Sequence, residues 1–260
     1  MKDRCLFFFD FDDTIYSHIT KSVPESAQQA MIELGRQGHI LVMASGRGRD
    51  AIPLFQTELS YVPDTQILLN GQIIYQYGHA VYENYITLSD INPLFELARK
   101  NGFAYGGYYW DGTIVNCVNE RVSGVWGDFG QPLPLVCEKL EKEYPIYQAH
   151  LYINREENGL FEEVLENYLP NWSHEYLVNL IHKSTGKDKA VNWCIERFGI
   201  PRERTYAFGD GFNDVDMIKA VGHGIAMGNG FERLKESAEC VTKAAHEDGV
   251  CLALQHYGFL

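Results

Sequence analysis

The sequence holds no apolar run of about 18 residues, so it offers no segment for a membrane-spanning helix. Its amino-terminal apolar stretch, Cys5–Phe9, stops abruptly at Asp10, which is not the pattern of a secretory signal. Positive charge is scarce: 22 Lys and Arg stand against 35 Asp and Glu, a formal net charge of −13. Nucleic acids and anionic membranes both need an extended basic footprint, so neither is expected as a partner. Any phosphate-bearing ligand must therefore meet its positive charge inside the site. Six scattered cysteines (Cys5, Cys117, Cys137, Cys194, Cys240, Cys251) form no CxxC pair. That excludes a metal cluster or disulfide framework and leaves buried free thiols in a reducing compartment, with the cytoplasm as the expected location. There is no internal repeat and no low-complexity tract.

What is present is the balance of an ordinary globule, 45% hydrophobic and 22% charged over 260 residues. That length suits one large domain or a core with an insertion. The apolar run from Leu6 to Asp10 has the pattern of a strand buried on both faces. Ser22, Pro24 and Glu25 read as a capping box opening a helix with Ala27, Ala30, Met31 and Leu34 on its inner face. Gly35 and Gly38 are its candidate stops, and His39–Ala44 follows as a second strand. Leu68–Ile74 reads as a hairpin turning at Asn70-Gly71. Near the other end, Asp188–Phe198 predicts a helix, Thr205–Phe208 a strand, Val215–Val221 a helix and Gly224–Met227 a strand. Such alternation implies a mostly parallel sheet.

Between about Val81 and His182 the pattern changes, with more aromatics and polar alternation. Helices are expected at Ile91–Lys100 and Glu156–Tyr168, a hairpin around Asp111-Gly112, and strands at Tyr147–Ile153 and Tyr176–Ile181. The reading is an α/β fold: a Rossmann-like core from residues 1–80 and 184–260, with an inserted α+β domain from 81–183. The aromatics Tyr105, Tyr108, Tyr109, Trp110 and Trp126 are read as core of that insertion, not as a stacking platform.

Chemistry is expected where polar residues interrupt the apolar strands. Asp10, Asp12, Asp13 and Thr14 follow the first, Ser45-Gly46-Arg47 the second, and Gly209 to Asp214 the strand at Thr205–Phe208. In a parallel sheet all three clusters lie at carboxyl ends, where open α/β sheets bind ligands. Several carboxylates together need a cation, and Mg2+ accepts carboxylate oxygens while leaving room for a phosphate. A carboxylate in such a place can attack phosphorus. Ser45 and Lys187 can supply donors to the transferring group, and Asp12 can protonate the leaving oxygen and then deprotonate water.

Asp10-Phe11-Asp12-Asp13-Thr14 matches the first motif of the haloacid dehalogenase superfamily, DxDxT. Ser45-Gly46-Arg47 resembles its second motif, Lys187 its third, and Gly209-Asp210-Gly211-Phe212-Asn213-Asp214 its fourth. Asn70-Gly71, Ala226-Met227-Gly228-Asn229 and Glu247-Asp248-Gly249-Val250 make the chain similar to the Cof-type phosphatases in particular. Asp188 departs from the glycine common after the lysine there, and Ala190 fixes the assignment to Lys187 over Lys183 or Lys189. The resemblance implies a magnesium-dependent phosphatase whose inserted cap governs specificity. It makes Asp10 the nucleophile and a metal ligand, and Asp12 the general acid/base that lends the metal its backbone carbonyl. Asp210 becomes the second metal carboxylate, with Asp214 near the metal's water shell. Ser45, Gly46, Lys187 and Asn213 hold the phosphate. The implied substrate is a small phosphorylated metabolite, a sugar phosphate or phosphorylated cofactor, and the chain a monomer or small homo-oligomer.

Simpler readings stand beside these. Arg47 either pairs with a carboxylate or touches ligand, and Asp214 either caps a helix or serves the metal. Asn70-Gly71 is first a hairpin turn. A sugar phosphomutase shares the core but returns the phosphoryl group to a sugar. A phosphorylatable signalling protein would gather similar residues without turnover, though Asp12 and the long insertion count against it.

Overall fold

A computed structural model describes residues 4–140 and 144–260. It divides into two compact units, one of residues 1–47, 51–83 and 186–260 and the other of 48–50 and 84–185.

In the first unit, strands β1 (Leu6–Phe9), β2 (Ile40–Ala44) and β3 (Thr65–Leu68) alternate with helices α1 (Glu25–Arg36) and α2 (Ile52–Glu58). Strands β4 (Ile73–Gln76) and β5 (His79–Glu83) close this half. The second unit holds α3 (Leu88–Lys100), β6 (Tyr105–Tyr109), β7 (Gly112–Val115), α4 (Glu120–Asp128), β8 (Leu135–Val136), β9 (Gln148–Leu151), β10 (Tyr168–His174) and β11 (Leu177–His182). The chain then returns to the first unit with α5 (Lys187–Phe198), β12 (Thr205–Gly209), α6 (Val215–Ala220), β13 (His223–Ala226), α7 (Glu232–Ser237), β14 (Cys240–Val241) and α8 (Gly249–His256).

The first unit's sheet has the order β14-β13-β12-β1-β2-β3-β4-β5. It is parallel from β14 to β3, and β4 and β5 are antiparallel additions. The two middle strands, β1 and β2, are apolar at every position because both faces are covered. Leu6 and Phe8 pack with Val191 and Cys194 of α5 and Met217 of α6. Phe7 and Phe9 point the other way, where Phe7 meets Tyr206 and Phe259, and Phe9 stacks on Phe208. The second unit's sheet runs β10-β11-β9-β6-β7-β8, antiparallel except between β7 and β8. Phe95 of α3, Tyr105, Leu151 and Leu180 fill one core there, and Val122, Val125 and Tyr152 belong to another that Trp126 packs against.

Four local expectations are corrected. Ser22 is not a helix cap: its backbone pairs with Ser17, and α1 begins at Glu25 behind Pro24 without a side-chain cap. Gly35 lies inside α1 instead of ending it; it is glycine because a Cβ there would come within 2.7 Å of the Tyr61 ring. Glu156–Tyr168 is no α-helix; a 3-10 stretch spans Glu157–Val164, and Tyr168 already pairs with His182 as the start of β10. Of the six thiols only Cys5 and Cys194 are buried, Cys117 is exposed and the others lie between. No helix among the described residues is long and apolar enough to cross a membrane.

Candidate active site

Asp10 directly follows β1, and its N–H still donates to the Phe208 carbonyl (3.0 Å), so the sheet ladder fixes its backbone. Lys187 opens α5 and buries its whole side chain. Its ammonium donates to Asp10 Oδ1 at 2.5 Å and to Asp214 Oδ1 at 2.6 Å. Asp214 is fully buried, and its other oxygen accepts the backbone N–H groups of Asp210 (3.1 Å) and Gly211 (2.9 Å). Asp214 thus ties the turn after β12 and pairs with the Lys187 ammonium. Gly209 makes room for it, because a Cβ there would lie 2.5 Å from that of Asp214.

Asp210 is only partly buried; it accepts from Thr14 Oγ1 (3.3 Å) and Asn229 Nδ2 (3.2 Å). Asn229 also donates to the Asp13 carbonyl and accepts from Ala245 N–H, so it cross-links the first and fourth motifs. Carboxylate oxygens of Asp10, Asp210 and Asp214 all lie within 4.8 Å of one another. Burial, then the charge of Asp214, pushes the Asp10 carboxyl well above its ordinary range despite Lys187. Burial and the charges of Asp214 and Asp13 raise Asp210 to about 6. For Lys187, burial pulls downward, but Asp10 and Asp214 outweigh it and hold the ammonium above its ordinary value. One ammonium among three crowded carboxylates leaves negative charge in excess. Hard oxygen donors in that state fit a divalent cation such as Mg2+.

Beside this cluster stand the residues after β2 and β3. Ser45 is wholly buried; its N–H reaches the Ile67 carbonyl (2.8 Å), and its hydroxyl oxygen accepts from Arg47 N–H (3.0 Å). The expected two-residue turn at Asn70-Gly71 is instead a wider connection in which Leu69, Asn70 and Gly71 take φ of 49°, 55° and 96°. Tertiary bonds hold that shape: Leu69 N–H to the Arg47 carbonyl (2.9 Å) and Asn70 N–H to the Ser45 carbonyl (3.1 Å). Asn70 then accepts from Asn213 Nδ2 (2.8 Å). Gly46 borders both asparagines, and a Cβ on it would come within 3.1 Å of Asn70 Oδ1. Asp12 forms a group of its own: Arg47 grips both its oxygens at 2.7 Å, and His18 Nε2 lies 3.5 Å away.

The expected residues thus fall into three neighbouring groups: Asp10, Lys187, Asp210 and Asp214; Ser45, Gly46 and Asn213 around Asn70; and Asp12 with Arg47. Sequence reasoning passed over Asn229 as a cross-link and His18 as a neighbour of Asp12. The signal for Asn229 was its place three residues past β13, the same strand-end logic that exposed the motifs.

A family model described as haloacid dehalogenase-like hydrolase matches residues 7–254. YkrA of Bacillus subtilis (strain 168), provisionally named a phosphatase, is 34% identical over 263 aligned positions, covering 99% of each chain. YitU of the same organism, a 5-amino-6-(5-phospho-D-ribitylamino)uracil phosphatase, is 26% identical over 97% of both chains. Among solved structures, the phosphatase BT1666 from Bacteroides thetaiotaomicron superposes with a TM-score of 0.87 at 27% identity, over 99% of this chain and 96% of its own. The subclass IIB sugar phosphatase BT4131 gives 0.80 at 25%, over 98% and 100%.

Proposed function

The chain belongs to the haloacid dehalogenase-like hydrolase family and is one of its phosphatases, and we propose that it hydrolyses small phosphorylated metabolites with Mg2+ through an aspartyl-phosphate on Asp10. The observation that carries this reading is the buried Asp10–Lys187–Asp214 chain with Asp210 beside it. Asp10, Asp210 and the backbone carbonyl of Asp12 would hold the ion, with Asp214 behind them. Mg2+ would supply neutralising charge to the carboxylates and to the phosphoryl oxygens.

The chain's own residues do the rest. An Asp10 oxygen forms a bond to phosphorus as the ester P–O bond breaks, and Asp12 gives its proton to the leaving oxygen. Water then attacks phosphorus, the bond to Asp10 breaks, and Asp12 takes the proton from that water. Lys187 fixes Asp10 for in-line attack and stays charged, so it can meet the negative charge of the transferring group. Ser45 and Asn213 are the neutral donors to its oxygens, and Gly46 keeps the approach between them open.

The relatives support a sugar phosphate or a phosphorylated cofactor or precursor as substrate, with the second unit selecting the organic part. Phosphate release from a panel of sugar phosphates, phosphorylated ribityl compounds, flavin mononucleotide and pyridoxal phosphate tests this, with and without Mg2+. Turnover that needs Mg2+ and vanishes in Asp10→Asn is the expected result. Turnover that survives either change would refute it.

A further inference from the structure

We propose that Arg47 is the positioning residue for Asp12, holding its carboxylate in the one orientation from which proton exchange with the leaving oxygen proceeds. This rests on the phosphatase reading above and adds to it a residue with no direct part in phosphoryl transfer.

Asp12 sits in a turn that is well fixed in its backbone and poorly fixed in its side chain. Ile15 and Tyr16 N–H groups both return to the Phe11 carbonyl, and Asp13 N–H reaches Tyr16 O (2.7 Å). The Asp12 side chain, by contrast, is about one-third exposed, at 33%. A carboxylate so placed samples several rotamers unless something holds it. Arg47 supplies that restraint. Nε meets Oδ2 and Nη2 meets Oδ1, each at 2.7 Å, so the two planar groups lie fork to fork. Arg47 is itself anchored from three directions. Its N–H donates to Ser45 Oγ, its carbonyl accepts from Leu69 N–H, and its guanidinium stands 6.0 Å over the buried Phe11 ring. The second motif thereby aims the first motif's outer aspartate. His18 adds a looser contact to the same carboxylate at 3.5 Å.

The chemistry that depends on this aim is proton transfer alone. In the first step Asp12 releases its proton to the leaving oxygen as the P–O bond breaks, while an Asp10 oxygen bonds to phosphorus. A leaving group that is already a weak base, such as p-nitrophenolate, needs little of that help. An alkoxide from a sugar phosphate needs all of it. Loss of Arg47 should therefore damage the two substrates unequally. Lys in its place retains the charge and loses the fork.

The test is kcat/KM of the Mg2+-loaded protein and its Arg47→Lys and Arg47→Met variants on p-nitrophenyl phosphate and on the best sugar phosphate. That parameter reports the steps through loss of the leaving group. Both variants should lose roughly 10–100-fold on the sugar phosphate, a part of the roughly 100–10,000-fold that general acid catalysis supplies, and several-fold less on the aryl ester. Their Mg2+ affinity by calorimetry should stay within about twofold of the parent's, since the Asp12 carboxylate is not a proposed ligand. Equal losses on both substrates, or full activity in Arg47→Lys, would overturn the inference while leaving the phosphatase reading intact. No turnover of either ester by the parent protein would overturn both.

Discussion

Lys187 is the residue on which the others depend, since it is the buried cation shared by Asp10 and Asp214. Substituting Met keeps the bulk and removes the charge, leaving two buried carboxylates without it. Breaking a buried pair in this way costs about 3–5 kcal/mol, so Lys187→Met should melt well below the parent at neutral pH. The carboxyls left behind favour their protonated form in the folded state. Stability lost at pH 7 should therefore return in part as pH falls, which denaturant midpoints at pH 7 and 5 will show. Asp10→Asn should behave oppositely. Its carboxyl is held above the ordinary range by burial and Asp214, so ionising it opposes folding near neutrality. The amide removes that opposition, and its thermal midpoint should equal or exceed the parent's while turnover is lost.

Asp10 was legible in the sequence because a charged residue ending an apolar strand is costly without a purpose, and Lys187 because a cation at a helix start opposes the helix dipole. Arg47 was legible as a residue but not in its target. Whether an arginine at a strand end turns to a ligand or to a carboxylate depends on side chains some thirty-five positions away. Asn229 escaped for the same reason: its partners Asp13, Asp210 and Ala245 belong to distant segments.

Among the elements, the alternation of strands and helices at both ends of the chain carried over directly into the parallel sheet. Local turn rules failed where a tertiary contact overrode them. Asn70-Gly71 has the sequence of a two-residue turn, yet the loop opens to meet Ser45, Arg47 and the start of α5. Gly71, at φ 96°, lies so close that a Cβ would run into the Gly186 carbonyl, one residue before Lys187. Gly71→Ala should cost roughly 1–3 kcal/mol from backbone conformation alone. It should also lower kcat by shifting the lysine, and steady-state kinetics beside thermal denaturation will separate the two effects. Glu157–Val164 misled in another way. Its apolar spacing permits a helix, but the chain must turn early to supply β10 as partner for β11.

At the scale of the whole molecule, the excess of negative charge fits a phosphate site only because the cation is internal, as Lys187 is. The second unit carries a separate marker of its own. His150 in β9 is buried with neither ring nitrogen partnered among the described residues, and burial pushes it down to about 3 from an ordinary 6.5. The unfolded chain takes up that proton below pH 6.5 and the folded chain does not. Stability should therefore fall as pH drops from 6.5, by about 1.4 kcal/mol per unit from this group. His150→Phe should flatten the slope by one proton between pH 6 and 4.5, measured by denaturant unfolding.

The central claim is that phosphorus passes through Asp10 on its way to water. The stereochemical course at phosphorus tests it most directly, using an aryl phosphorothioate made chiral with oxygen isotopes and hydrolysed in labelled water with Mg2+. Two in-line displacements predict retention of configuration; inversion would mean that water attacks the ester directly and would contradict the covalent role of Asp10.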